Sequence, residues 1–312
     1  MNTGLSIVVP TYNEEASIAK LHARIKEALR GRVKYEIVFV DDGSTDGTYG
    51  ILEGLNRADP DVKAVKLSRN FGHEIATSAG LRYASGEAVV VMDSDLQHPP
   101  ETINELLDKL KEGYDIVFAV RRNREAGSAI KKFCSKAFYG VLGKLSEVKL
   151  PDDVTDFMIL NRKAADAFLK LKEKSRFFRA MVSWMGFRTA FVPFEEGRRS
   201  GGSSKYGLRK LAGLSADVVT GYSIKPLAFV AWAGFIISSA SFALLLFYLA
   251  KTIFCGASMP GYASMMITIL FIGGIQLLSI GIIGQYIGRI YKETQERPLY
   301  LVGGLIGLEE KE

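Results

Sequence analysis

The apolar positions of this chain follow two rhythms before they become continuous. Short runs rich in Val and Ile, LSIVVP (5–10), YEIVFV (35–40), VKAVKL (62–67), AVVVM (88–92) and YDIVFA (114–119), alternate with segments near 14–29, 46–57, 73–84 and 100–112 in which apolar residues recur every three or four positions. A near-continuous apolar run of this length is the pattern of a strand buried on both faces. Its alternation with helical patterns predicts an α/β fold with a mostly parallel central sheet covered by helices.

Farther along, the runs LAFVAWAGFIISSASFALLLFYLA (227–250) and YASMMITILFIGGIQLLSIGIIGQYIG (262–288) contain no charged residue. Each exceeds the roughly 20 residues that cross a bilayer core as a helix, and predicts a transmembrane span. The alternative is a pair of helices buried in a large soluble core. The Gly284–Gly288 spacing permits close helix packing. Ahead of the first run, Leu208, Leu211, Leu214, Val218 and Tyr222 recur at helical steps. They predict an amphipathic helix over 206–224, lying in the membrane interface or packed as an ordinary surface helix. The Gly- and Ser-rich stretch GRRSGGSSKYG (197–207) reads as a loop. The expected organisation is a catalytic domain over 1–205, the interface helix over 206–224, a two-helix membrane hairpin over 225–291 and a tail over 292–312.

Charge adds an orientation. Arg209, Lys210 and Lys225 precede the first apolar run and Arg289, Lys292 and Arg297 follow the second, whereas the connecting segment carries only Lys251. The excess of basic residues on the outer flanks places both flanks, and the large domain, in the cytoplasm. The net charge of +6 fits an anionic membrane surface or phosphorylated ligands and does not call for nucleic acid. The two cysteines, Cys134 and Cys255, lie in dissimilar regions, and no disulfide is expected. RPLYLVGGLIGL (297–308) reads as an exposed strand able to pair with a second subunit, which leaves a homo-oligomer open.

In open α/β sheets ligands bind beyond the carboxyl ends of the strands. Polar clusters follow four of the predicted strands here: Pro10-Thr11-Tyr12-Asn13-Glu14-Glu15, Asp41-Asp42-Gly43-Ser44-Thr45-Asp46, Ser68 to Glu74, and Asp93-Ser94-Asp95-Leu96-Gln97-His98. If extended geometry persists past residue 92, Asp93, Asp95 and Gln97 face one side. Two carboxylates and an amide carbonyl form a hard oxygen set suited to Mg²⁺ or Mn²⁺, which completes its shell with water and phosphate. A helix cap at Asp95 and a turn at 41–48 are the structural alternatives. His98 is an alternative metal ligand, and His73 either caps a helix or meets phosphate. A basic run, with Arg121, Arg122, Arg124, Lys131, Lys132, Lys136 and Lys144 against a single Glu125, is either a solvated helix face or an anion site.

SIVVPTYNEE (6–15), VDDGSTDGT (40–48), NFGHEIA (70–76) and MDSDLQHPPE (92–101) together resemble the family 2 glycosyltransferases of GT-A fold. Within that family they resemble the polyisoprenyl-phosphate hexosyltransferases, the group of the bactoprenol glucosyltransferases and dolichol-phosphate mannose synthase. The resemblance implies that Pro10, Tyr12, Glu14 and Asp42 hold the donor nucleoside and that Asp93, Asp95 and Gln97 hold the metal. It further implies that Asp156, in VTDFMILNR, is the acidic residue on the acceptor side, so that Asp95 and Asp156 are the catalytic candidates. The family's arginine two residues after that acid is Met158 here, so its charge is absent or supplied elsewhere. Arg121, Lys132, Ser135, Arg199 and Lys205 are the candidates for the acceptor phosphate.

The implied reaction is inverting transfer of a hexose, with UDP-glucose the favoured donor, onto a membrane polyisoprenyl phosphate. A lipid monophosphate is already largely anionic at neutral pH and is a ready nucleophile. GDP-mannose and aminoarabinose donors stay open, as does a non-catalytic sugar-nucleotide-binding membrane protein. A processive polysaccharide synthase is disfavoured, because RFFRAMVSW (176–184) lacks a Gln-x-x-Arg-Trp pattern.

Overall fold

Seven consecutive buried residues, Leu5–Thr11, form β1, the strand around which the sheet is built. The computed structural model describes residues 4–122, 154–174, 176–196, 225–255 and 261–310. In chain order the first unit runs β1, α1 (Ile18–Ala28), β2 (Tyr35–Asp41), α2 (Thr48–Ala58), β3 (Val62–Leu67), α3 (His73–Tyr83), β4 (Ala88–Val91), a short 3-10 turn, α4 (Ile103–Lys111) and β5 (Ile116–Arg121). It continues with β6 (Val154–Asn161), α5 (Arg162–Leu169), α6 (Phe178–Trp184), β7 (Thr189–Phe194) and, from the far end of the chain, β8 (Val302–Ile306). The predicted alternation over the first 120 residues is therefore observed.

The eight strands lie in the order β7-β5-β6-β4-β1-β2-β3-β8. Pairing is parallel from β4 through β1 and β2 to β3, and parallel between β5 and β7. Only β6 and β8 run against the rest. Alternate residues of each central strand enter opposite layers. Leu5, Ile7, Val9, Ile37 and Phe39 pack with Ile18, Leu21 and Ile25 of α1, Leu52 of α2, and Ile103 and Leu106 of α4. Val38, Val40 and Val65 pack instead with Ala76, Ala79 and Tyr83 of α3. Helix α3 sits close on the sheet because its inner face is small; a Cβ at Gly80 would come within 2.2 Å of Val8.

The end of the chain corrects one expectation. Residues 302–306 do form a strand, but β8 pairs antiparallel with β3 of the same chain, Ala64 opposite Ile306 and Leu67 opposite Val302. Tyr300, Val302, Leu305 and Leu308 pack against the α3-side core. The C-terminal segment thus covers an edge that would otherwise be open for pairing, and it belongs to the sheet rather than to a separate tail.

The second unit contains α7 (Lys225–Cys255) and α8 (Tyr262–Thr294). Both are long and apolar enough to cross a membrane, with windows at Leu227–Leu244 and Phe271–Thr294. Neither window is buried, so a soluble-core helix pair does not describe them. Phe229, Trp232, Phe235 and Leu277 are all exposed. A Cβ at Gly284 or Gly288 would meet nothing within 4 Å, so these glycines mark no close helix contact among the described residues. The expected interface helix over 206–224 lies outside the described residues.

At the amino ends of the strands, away from the polar clusters, Glu36 is almost fully buried. It pairs with Lys63 and accepts from Ser6 Oγ, Ser85 Oγ and the Ser85 amide. Burial pushes its carboxyl up, but the bonds from Lys63, Ser6 and Ser85 outweigh that and hold it below the ordinary value. A carboxyl lowered on folding stabilises the fold above its unfolded pKa and stops doing so as pH falls through the folded one. Glu36→Ala should therefore lower stability at pH 7 by roughly 3 kcal/mol, as for one partner removed from a buried pair. In thermal unfolding of the detergent-solubilised protein, that deficit should shrink as the pH falls below 4.5.

Candidate active site

The strand register brings the polar clusters to one edge. Strands β1 to β5 end there, and β6, running the other way, begins there. The β1–β4 ladder stops at Val8 opposite Val91, and Met92 adds a last bond to the Val8 carbonyl. From β1 the strand order runs to β2 and β3 in one direction and to β4 in the other, which makes the β1/β4 boundary the switch point of the sheet. Pro10 is buried in β1 just past the end of that ladder, where its missing N–H is tolerated.

The loops after β1 and β2 are locked together. The Asn13 amide donates to Ser44 Oγ at 2.9 Å, and Asn13 Oδ1 accepts from the Thr45 amide at 2.8 Å. Glu14 donates its amide to Thr48 Oγ1, and Glu15 Oε2 accepts from Gly47. Tyr12 is exposed beside them, and Glu14 Oε2 accepts from Ser17 Oγ. A third loop is tied in by Asp42, which is buried and accepts from the Phe71 amide at 2.7 Å and the Gly72 amide at 2.9 Å, one on each oxygen. Burial, joined by the charge of Asp41, holds its carboxyl above the ordinary value despite these two bonds. Its neighbour Asp41 accepts from the Ser44 amide through Oδ1, while its buried Oδ2 has no hydrogen-bond partner among the described residues. Gly43 has φ +69°, and a Cβ there would lie 2.5 Å from the Arg69 carbonyl carbon, so only glycine lets these loops meet.

After β4 the chain does not stay extended: the strand ends at Val91, and Leu96 takes a left-handed φ of 67°. The alternation nevertheless survives in burial. Asp93, Asp95 and Gln97 are partly exposed, while Ser94, Leu96 and His98 are buried. Asp95 Oδ1 accepts from the Gln97 amide at 3.1 Å, which closes a tight turn between two of the predicted ligands. His98 is 1% exposed and stacks on Phe157 of β6. Its Nδ1 accepts from the Asp93 amide at 3.0 Å, so that nitrogen carries no proton, and its 3.6 Å approach to the Asp93 carboxylate is not an ion pair. Burial lowers the His98 pKa against the pull of Asp93 and Asp95. Enclosed, bonded at Nδ1 to the Asp93 amide and stacked on Phe157, the ring supports the loop. His73, the first residue of α3, lies with Nε2 3.5 Å from Asp93 Oδ1.

This donor set suits a hard divalent cation. It offers two carboxylates and an amide carbonyl at a partly open turn, and Asp93 makes no ion pair with Lys or Arg among the described residues. No three His, Cys, Asp or Glu side chains gather as a closed metal site among the described residues, so a bound cation would take its remaining ligands from Gln97, water and substrate.

On the other side of the switch point, the β4–β6 register sets Met158 opposite Val91. Asp156 lies two residues nearer the start of β6, and its charge acts on the buried His98 together with those of Asp93 and Asp95. Arg179 of α6 brings Nε to 3.0 Å from Asp156 Oδ1, a charge contact without well-aligned hydrogen-bond geometry. Glu74, in the first turn of α3, accepts from the Phe178 amide at 2.9 Å. Burial first, then the Asp156 charge, raise its carboxyl to about 7. Arg121, at the end of β5, pairs with Glu196 at 3.0 Å. The other acceptor candidates, Lys132, Ser135, Arg199 and Lys205, lie outside the described residues.

Sequence reasoning assigned Glu74 and Arg179 no role. The signal for Glu74 was present in NFGHEIA; Arg179, in RFFRAMVSW, carried none without the fold.

With this geometry in hand, the chain's relatives define its class. Residues 6–169 match the family model for glycosyl transferase family 2. The chain belongs to that family and is a glycosyltransferase. It is 46% identical over 310 residues to an uncharacterized glycosyltransferase of Synechocystis sp., covering 99% of this chain and 98% of the relative. It is 38% identical over 299 residues to the bactoprenol glucosyl transferase of Shigella phage SfX, covering 96% and 98%. Among solved structures, a mannosyltransferase of Pyrobaculum calidifontis has the same fold, with TM-score 0.50 and 18% identity over 96% of this chain and 89% of that one.

Two outcomes are expected of the site as built. A carboxyl raised on folding favours its protonated form in the folded chain. Its penalty is absent below the unfolded value of 4.5, grows as pH rises and is complete above about 7. Glu74→Gln should therefore match wild type in thermal unfolding at pH 4 and exceed it at pH 8. Gly43→Ala should lower stability by about 1–3 kcal/mol through its left-handed backbone and the clash with residues 69 and 70, read as a lower Tm in the same thermal unfolding.

Proposed function

We propose that this protein is a membrane-bound, inverting hexosyltransferase that moves glucose from UDP-glucose onto a polyisoprenyl phosphate. The observation that carries this reading is the near full-length similarity to bactoprenol glucosyl transferases, 38% and 37% identical over 299 residues. The site chemistry agrees with it. Pro10, Tyr12, Glu14 and the Asp41–Asp42 pair line the donor side, where Asp42 secures the loops and Asp41 retains an oxygen without a partner among the described residues. Asp93, Asp95 and Gln97 would hold Mg²⁺ or Mn²⁺. A cation there supplies Lewis-acid neutralisation of charge on the departing diphosphate.

The chain's own residues then have separable tasks. The loops over 12–17 and 42–47 fix the nucleoside end of the donor. Asp156 orients the acceptor or the sugar from the opposite strand. Arg121 would exchange its Glu196 partner for the lipid phosphate, joined by Lys132, Ser135, Arg199 and Lys205. An acceptor phosphate that is largely dianionic needs little help from a base, so positioning carries most of the task. Attack opposite the leaving diphosphate gives a β-linked product from an α-linked donor.

Connectivity supports the membrane placement. The chain leaves the sheet before α7 and returns to it as β8 after α8. Two spans bracketed by one folded unit form a hairpin with both flanks on one side. The basic flanks put that side in the cytoplasm.

A panel of sugar nucleotides tested against undecaprenyl phosphate, with the full chain in detergent, checks this function. UDP-glucose should be transferred only with Mg²⁺ or Mn²⁺ present. Asp93→Ala/Asp95→Ala should lose on the order of a hundredfold or more in kcat, as when a main electrostatic stabiliser is removed. Preference for another donor would reassign the sugar; release of no nucleoside diphosphate from any donor would end the enzymatic reading.

A further inference from the structure

Asp156 stands near the start of β6, a strand that offers it no cation of its own. Met158, two residues along and in the position of the family's arginine, is fully buried. The positive charge comes instead from α6. Arg179 approaches Asp156 Oδ1 with Nε at 3.0 Å and donates from Nη1 to the Val154 carbonyl at 2.9 Å. One guanidinium therefore spans two positions of β6, and its face lies 5.1 Å from the Phe177 ring. A planar fork held this way has little rotational freedom left.

The segment that presents Arg179 is itself docked on α3 by two side-chain bonds. Glu74 Oε2 accepts from the Phe178 amide at 2.9 Å, and Ser78 Oγ accepts from Arg176 Nη1 at 3.1 Å. Residues 74 and 78 are one turn apart, so they share a face of the helix. Glu74 also follows His73, whose ring reaches Asp93. The first turn of α3 thus reaches both Asp93, one of the proposed cation carboxylates, and the apparatus around Asp156. A carboxylate kept partly buried beside a second carboxylate works against stability, which is a pattern found at sites shaped for function.

We propose that Arg179 and Glu74 are positioning residues for the transfer reaction: Arg179 fixes the carboxylate of Asp156, and Glu74 fixes the turn of chain that presents Arg179. This rests on the reading of Asp156 as the acceptor-side acid. Neither residue touches the reacting atoms; both act through Asp156.

The test is steady-state kinetics of the full-length protein with UDP-glucose and undecaprenyl phosphate. Arg179→Gln should lower kcat by about tenfold or more while the KM for UDP-glucose stays within about twofold, the split expected of an interaction made in the transition state. Arg179→Lys should recover part of that loss. Glu74→Ala should show the same split, and Glu74→Gln should recover most of it, because an amide oxygen still accepts from Phe178. The decisive arm is the cycle with Asp156→Asn: if Arg179 acts only through Asp156, Arg179→Gln should add nothing to Asp156→Asn. Losses that multiply would overturn the proposal, as would full kcat in Arg179→Gln beside an impaired Asp156→Asn. Full kcat in Asp156→Asn would overturn the acceptor-side reading and the proposal with it. Should Arg179→Gln not fold, Arg179→Lys enters the same cycle with the same two outcomes.

Discussion

The antiparallel insertion of β6 between β4 and β5 is the constraint on which the site depends. A sheet of parallel strands alone would bring only strand ends to the active edge. Because β6 runs the other way, its beginning lies there, and the register of Val91 with Met158 brings Asp156 to the same edge as the turn after β4. A shift by one residue would turn Asp156 into the layer now occupied by Phe157 and expose that ring instead. Fixed register therefore does what a flexible loop could not: it brings an acid from a distant part of the sequence to the edge where the β4 cluster lies. The stacking of His98 on Phe157 fastens the turn after β4 to the same strand.

On the donor side the order is of another kind. The loops after β1, β2 and β3 have no register to share, and they are held by side chains bonded to backbone amides. Asn13, Glu15 and Asp42 each accept from a neighbouring loop, and the close approach at Gly43 leaves no room for a side chain. Asp42 has both oxygens engaged in this task. A residue of a binding motif can thus serve the ligand indirectly, by fixing the shape of the pocket. The return of the chain as β8 adds one more strand from the end of the sequence, paired antiparallel with β3.

Much of this was legible in the sequence. The first five strands and four helices announce themselves because a parallel sheet buried on both faces needs unbroken apolar runs. The four polar clusters stand out because each begins where an apolar run stops. Two strands were not read: β6 carries Thr155 and Asp156 within its apolar run, and β7 contains Pro193, which an edge strand tolerates. The strand character of 302–306 was recognised, but its partner was not, since pairing of residue 306 with residue 64 leaves no local trace. Glu74 and Arg179 were missed for a related reason: their meaning lies in which distant residue each one faces. His98 shows the converse, a residue whose chemistry suggested a ligand and whose burial makes it a support.

The proposed site divides its labour, with the cation on the β4 side and the acceptor on the β6 side. Titration of Mn²⁺ into the protein with UDP, followed by electron paramagnetic resonance, tests it most directly when run beside glucose transfer. Asp93→Ala/Asp95→Ala should abolish Mn²⁺ binding, whereas Asp156→Asn should bind Mn²⁺ as wild type does and fail in transfer. Wild-type Mn²⁺ binding in the former, or its loss in the latter, would contradict this division.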